Sequence, residues 1–159
     1  MKITVLAVGK IKEKYFTGAV EEYAKRLSRF CRLELVEVAD EKTPDGAGRA
    51  QELQIRIKEG ERILQKLPGS SFVVALSIDG RMLDSVELSR QMERWNVNGI
   101  SHITFVIGGS LGLSPQVLER ADMKLSFSKM TFPHQLMRVI LLEQVYRSYM
   151  IRSGAPYHK

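Results

Sequence analysis

A single cysteine, Cys31, is all the thiol chemistry this chain offers, so neither an internal disulfide nor a cysteine-based zinc cage can be built from it. No apolar run approaches the ~20 residues that a membrane-spanning helix needs. The opening MKITVLAVGK has a short apolar stretch but no small-residue cleavage site, and it runs directly into a charged, helix-like segment, so a secretory signal is not expected. The phosphate-cradling pattern G-x-x-x-x-G-K-[ST] is missing, as are H-E-x-x-H and any compact cluster of histidines and carboxylates. No metal is therefore expected, and the lone His102 beside a strand reads as structural. Internal repeats, low-complexity tracts and a second domain are absent too. What remains, 159 residues of which 44% are hydrophobic and 26% charged, suits one globular domain, residues 1–159, of the reducing cytoplasm. A chain of this length buries roughly 70% of the surface it exposes when unfolded, enough to hold together without a covalent staple.

The patterning that is present alternates strands with helices. KITVLAV (2–8) is a β-branched apolar run closed by Gly9. Tyr15, Phe16, Ala19, Val20, Tyr23, Ala24, Leu27 and Phe30 follow at helical spacing. LELVEV (33–38) alternates like a half-buried strand, and DEKTPDGAG (40–48) reads as an exposed loop. Leu53, Ile57, Leu64 and Leu67 mark a second helix ended by Pro68-Gly69. FVVALSI (72–78) is apolar throughout, as in a strand covered on both faces, with Asp79-Gly80 expected to turn the chain. A helix from about Ser85 to Trp95, a strand at ITFVI (103–107), a short helix opened by Ser114-Pro115 and an apolar stretch from Met123 to Phe127 complete the series. The last helix starts at Pro133 and ends at Gly154. This order predicts an α/β domain with a mainly parallel sheet and helices on both faces.

That last helix is apolar around most of its circumference, from Leu136 and Met137 through Val145 to Met150 and Ile151. It needs cover on more than one side, which either a central place in the core or a second copy of the chain provides. Positive charge is concentrated at the same end. From Met123 onward six basic residues face one acid, Glu143, a net of +5, whereas the first 122 residues carry a net of +1. Attraction to a polyanion and a merely solvated helix face are both consistent with the skew.

Two segments are candidates for chemistry. Gly108-Gly109-Ser110-Leu111-Gly112 follows a strand without matching G-x-G-x-x-G, and marks either backbone approaching a ligand or a plain turn. LSFSKMTFPHQ (125–135) packs hydroxyls, a lysine, a methionine and two aromatics between a strand and a helix start. It reads either as an anion-binding loop or as a loop whose Phe127 and Phe132 plug the core. Asp79 stands where α/β ligand clefts open, although Asp-Gly is also a common turn pair. The tail Ala155-Pro156-Tyr157-His158-Lys159 taken alone reads as frayed.

FVIGGSLGL (105–113), LSFSKMTFPHQLMRVILLEQVYR (125–147), the terminal PYHK (156–159), MKITVLAVGKIKEKY at the start and VVALSIDGRMLDS (73–85) together resemble the RlmH-type ribosomal RNA methyltransferases of the SPOUT class. The resemblance covers essentially the whole chain. It implies an α/β fold with a C-terminal trefoil knot, a homodimer, S-adenosylmethionine as methyl donor and N3 of a pseudouridine in 23S ribosomal RNA as acceptor. With no separate RNA-binding module, binding to isolated RNA is expected to be weak and salt-sensitive, so the assembled ribosome is the expected substrate. It further implies that the donor touches Leu76, Gly108, Gly109 and the loop Phe127, Ser128, Lys129, Met130, Thr131 and Phe132. To the basic end we assign the acceptor chemistry: His158 and Tyr157, reaching from the partner chain, to handle the N3 proton or position the base, and Arg138 to offset negative charge or hold a phosphate. The competing readings are a non-catalytic dimeric RNA-binding module and a purely structural α/β dimer. The first has no reason to keep a donor pocket of glycine turn and SFSKMT loop, and the second leaves Tyr157-His158 and the charge skew unexplained.

Overall fold

The computed structural model describes residues 1–159. Its elements alternate as the patterning predicts: β1 (Lys2–Val8), α1 (Lys14–Leu27), β2 (Arg32–Val38), α2 (Arg49–Lys66), β3 (Phe72–Met82), α3 (Ser85–Val97), β4 (His102–Ile107), α4 (Pro115–Arg120), β5 (Met123–Ser126) and α5 (His134–Arg152). The five strands form one sheet in the order β2-β1-β4-β3-β5, with every pairing parallel.

The apolar runs of β1, β4 and the first half of β3 follow from cover on both faces, whereas the expected cover of 72–78 stops at Ala75 and Ile78 is exposed. Along β1, Ile3, Val5 and Ala7 enter one core while Leu6 and Val8 enter the other. The larger core, centred on Phe105, lies beneath α1, α3 and α5; the smaller one, with Val73, Val106 and Ile63, lies beneath α2 and α4. Burying a side chain such as Phe105 stabilises the fold by about 1.5–3 kcal/mol. Polar side chains at the sheet are paired: Thr104 Oγ1 donates to Ser71 Oγ at 2.9 Å.

Two helix starts are capped by side chains. Asp84 and Glu87 form a reciprocal capping box at the start of α3, and Ser114 accepts from the Val117 N–H ahead of Pro115 at α4. Helix α5 runs between α1 and α3, with Leu141, Leu142 and Val145 in the core. It is therefore the middle helix of its layer, and its outward residues Leu136, Ile140, Met150 and Ile151 are half-buried. No helix is long and apolar enough to cross a membrane.

One local expectation is corrected. Asp79-Gly80 does not end the third strand; β3 continues to Met82 with an irregularity, Leu125 pairing with both Leu76 and Arg81. Residues 77–80 arch away between those two registers. Gly80 serves close approach rather than a turn, because a Cβ there would stand 2.7 Å from the Lys124 carbonyl carbon.

Candidate active site

Parallel sheets open their ligand clefts beyond the carboxyl ends of the strands. Here the ends of β3, β4 and β5 border a cleft of about 390 Å³. The turn after β4 forms one wall. Gly112 takes φ +84° and donates its N–H to the Gly109 carbonyl at 3.1 Å, folding Gly108–Gly112 back on itself. A Cβ on Gly108 would meet the Gly112 carbonyl carbon at 2.8 Å, so the turn closes only with glycine there. Behind it, the buried Glu59 carboxylate lies 3.2 Å from where a Gly109 Cβ would sit, and accepts the Glu41 N–H at 2.9 Å. Burial raises the Glu59 pKa above the usual carboxylate range, outweighing the Glu41 hydrogen bond.

The segment between β5 and α5 forms the opposite wall. Ser126 Oγ donates to the Ser128 carbonyl at 3.1 Å, and Ser128 Oγ accepts the Met130 N–H at 3.0 Å. These two bonds curl the loop tightly and leave Met130 largely exposed at the rim. His134 opens α5 at the base of the cleft with its ring against Gly9. Its Nδ1 is buried without a partner, and burial followed by the Arg138 charge lowers its pKa. A neutral ring with its proton on Nε2 suits this setting, because a buried N–H left unpaired is costly.

Of the residues assigned to the donor, Leu76, Gly108, Gly109, Phe127, Ser128, Met130, Thr131 and Phe132 all line this cleft. Lys129 does not; it is exposed. Sequence reasoning missed Arg56, Ile78, His134 and Met137, which also line it, and set Asp79 aside as a turn residue although it faces the same space. His134 and Met137 had a signal in their position at the start of a helix that follows the serine-rich loop. Arg56 had none, since only the packing of α2 brings it there.

The three residues assigned to the acceptor lie elsewhere. Arg138 is buried, with its guanidinium ion-paired to Glu37 and donating to the carbonyls of Val8 at 3.2 Å and Gly9 at 2.8 Å. In this chain it ties α5 to the end of β1 and is not free to hold a phosphate. Tyr157 donates its hydroxyl to Glu143 Oε2 at 2.7 Å, sets its ring edge-on to Tyr146, and lies under Arg147. Burial and that hydrogen bond push its pKa up to about 12, so the phenol keeps its proton. His158 Nδ1 stands 3.1 Å from Arg147 Nη1; arginine only donates, so this ring nitrogen is the acceptor. Glu143 follows His134 by nine residues, about 14 Å along the helix axis, so the tail rests well away from the cleft of its own chain.

Comparison with known proteins gives a consistent answer. A family model described as "Predicted SPOUT methyltransferase" matches residues 1–158. Proteins named ribosomal RNA large subunit methyltransferase H from Bifidobacterium adolescentis and Clostridium tetani are 58% and 57% identical over 159 residues, covering the whole of both chains. Among solved structures, a probable methylase family protein from Haemophilus influenzae aligns with 99% of this chain and 70% of its own, at 12% identity and a TM-score of 0.52; that likeness concerns the fold alone.

Proposed function

Because the chain belongs to the SPOUT methyltransferase family, we propose that it transfers a methyl group from S-adenosylmethionine to N3 of a pseudouridine in large-subunit (23S) ribosomal RNA, acting in the cytoplasm as a homodimer on assembled ribosomes. In this reading residues 1–159 are one methyltransferase domain, and the family's trefoil knot involves the segment that returns from β5 to α5. The observation that carries the reading is the cleft itself, in which eight of the nine donor-assigned residues meet at the strand ends.

The residues present suit the donor. Leu76, Ile107, Leu125 and Phe127 supply an apolar slot for an adenine ring. The glycine turn brings backbone, not side chains, to the rim, and a Cβ on Gly108 would fill that cradle. Bound S-adenosylmethionine supplies a methyl group on a positively charged sulfonium. The chain's own work is to align the acceptor ring, which contributes up to about 7–11 kcal/mol when fully realised, and to accommodate the proton leaving N3.

The tail fits the second task only across a dimer, since within one chain it lies along the middle of α5. Half-buried Leu136, Ile140, Met150 and Ile151 on the outward side of α5 suit the cover a second copy provides. Tyr157, with its proton held, acts as a hydrogen-bond donor that orients the base once its hydroxyl leaves Glu143. His158 acts as proton acceptor once its Nδ1 leaves Arg147. Arg138 is a positioning residue that fixes the start of α5, and with it His134, against β1.

The test is methyl transfer from isotopically labelled S-adenosylmethionine to ribosomes, to isolated large subunits and to protein-free ribosomal RNA, with the modified nucleoside identified by mass spectrometry. Label in an N3-methylated pseudouridine, strongest on ribosomes, is the expected result. A folded protein that neither binds the donor nor labels any of the three would overturn the reading. In that case the RNA-binding alternative takes its place.

A further inference from the structure

The charge skew along the sequence understates what the fold assembles. Tyr23–Leu33 contains four basic residues, Lys25, Arg26, Arg29 and Arg32, and no acid; Gln144–Lys159 contains three, Arg147, Arg152 and Lys159, and no acid. An aromatic cluster clamps these two segments side by side. Phe30, between α1 and β2, stacks on Tyr149 with centroids 5.4 Å apart and meets Tyr146 edge-on at 6.1 Å. Arginines lie over the same rings: Arg26 over Tyr23 at 5.2 Å and Tyr146 at 5.6 Å, Arg152 over Tyr149 at 4.4 Å, and Arg147 over Tyr157 at 4.7 Å.

Most of this charge is uncommitted. Lys25, Arg29, Arg32 and Arg152 make no ion pair, and Arg26 meets Glu22 only loosely at 3.9 Å. Lys25, Arg26, Arg29 and Arg32 are all exposed. A guanidinium laid on a ring keeps its charge and its outward N–H groups while its stem is immobilised, so it loses less freedom on binding an anion. The ridge lies at the amino-terminal ends of the strands, at the opposite end of the sheet from the donor cleft, and adjoins the tail through Tyr146 and Tyr157.

We propose that this arginine–aromatic ridge, formed by Lys25, Arg26, Arg29 and Arg32 with Arg152, is the surface on which the phosphate backbone of the substrate RNA docks. The proposal rests on the ribosomal RNA methyltransferase reading and adds to it the place of contact. A second copy of the chain does not fit the ridge itself, because a two-fold placed there would bring the same cations against themselves; the copy proposed above covers the outward side of α5 instead. An RNA strand is the right one, because its row of phosphates offers an anion to each of several separate cations. RNA held here also lies beside Tyr157 and His158, the groups assigned to the acceptor.

The test compares the full-length protein with a ridge variant, Lys25→Gln/Arg29→Gln/Arg32→Gln, and with an equal loss of charge on the opposite layer, Arg49→Gln/Lys58→Gln/Lys66→Gln. Binding to salt-washed bacterial ribosomes is measured across salt, with methylation kinetics, donor titration and light scattering on each protein. Each lost phosphate contact reduces the slope of log K against log salt by about 0.7–0.9. Between 50 and 200 mM salt the wild type then loses roughly 20–40-fold more affinity than the ridge variant. KM for ribosomes rises in the ridge variant, with kcat, donor affinity and dimer mass unchanged. The charge-preserving variant Arg29→Lys/Arg32→Lys restores the wild-type slope, which a folding defect would not allow. A wild-type slope in the ridge variant, an equal change in both triple variants, or loss of dimer mass in the ridge variant would each overturn the proposal. Failure of the wild type itself to methylate ribosomes would instead overturn the functional reading beneath it.

Discussion

Replacing Gly108 by alanine is the sharpest perturbation of the cleft. The added Cβ would stand 2.8 Å from the Gly112 carbonyl carbon, 3.0 Å from its oxygen and 3.1 Å from Leu113 Cδ2. Two of these neighbours are backbone, and Gly112 is held at φ +84° with its N–H on the Gly109 carbonyl, so the turn cannot yield without opening. Overpacking of this kind costs about 1–3 kcal/mol. For a chain this size that lowers Tm by roughly 2–12 °C, at about 2–4 °C per kcal/mol. Donor affinity falls about tenfold or more, because the wall that moves is the one assigned to the donor under the proposed function. Two controls separate the cause. Gly112→Ala meets no atom within 4 Å but must hold a left-handed backbone, a penalty of about 1–2 kcal/mol. Gly18→Ala, in the exposed middle of α1 with nothing within 4 Å, gains about 0.5–1 kcal/mol and leaves donor binding untouched. Calorimetric titration with S-adenosylmethionine and thermal denaturation read all three. A Gly108→Ala protein with wild-type Tm and wild-type donor affinity would refute the reasoning.

Other outcomes follow from the titratable groups. Burial raises the Glu59 pKa, so its contribution to stability is complete below about pH 4.5 and is lost as pH rises through the raised native value; Glu59→Gln should match the wild type at pH 4 and exceed it at pH 7.5 in urea midpoint. Burial lowers the pKa of His102 and His134, so their stabilisation is complete above about pH 6.5 and is lost as pH falls through the lowered native values. A His102→Gln/His134→Gln variant should lose less stability than the wild type between pH 7.5 and 5.5, by chemical denaturation. Tyr157→Phe removes the hydrogen bond to Glu143 and should lower kcat on ribosomes at least several-fold while donor affinity, read by titration, stays as in the wild type.

Much of the architecture is legible in the chain because it depends on local rules. The continuous apolar runs at 2–8, 72–78 and 103–107 read as strands covered on both faces, which holds except for Leu76–Ile78 at the cleft, and alternation with amphipathic helices then implies parallel pairing. Ser114-Pro115 starts a helix because the serine accepts the Val117 N–H and proline lacks an N–H that would go unpaired. The loop assigned to the donor is legible through its resemblance to a family, in residues whose close spacing is itself the motif, and all of them but Lys129 line the cleft. Three features required the tertiary structure. Asp-Gly reads as a turn by pair preference, yet Gly80 answers a close approach of β5 that no local pattern records. Arg138 reads as a free cation, yet folding brings it to Glu37, about a hundred residues away, and to two carbonyls at the end of β1. The basic ridge is hidden by averaging, since Lys25–Arg32 lies in a half of the chain with almost no net charge. Sequence alone determined which segments must be buried, because hydrophobic periodicity acts over a few residues. Which charges end up side by side was decided by how α1 packs on α5, because electrostatic fields sum over space and not along the chain.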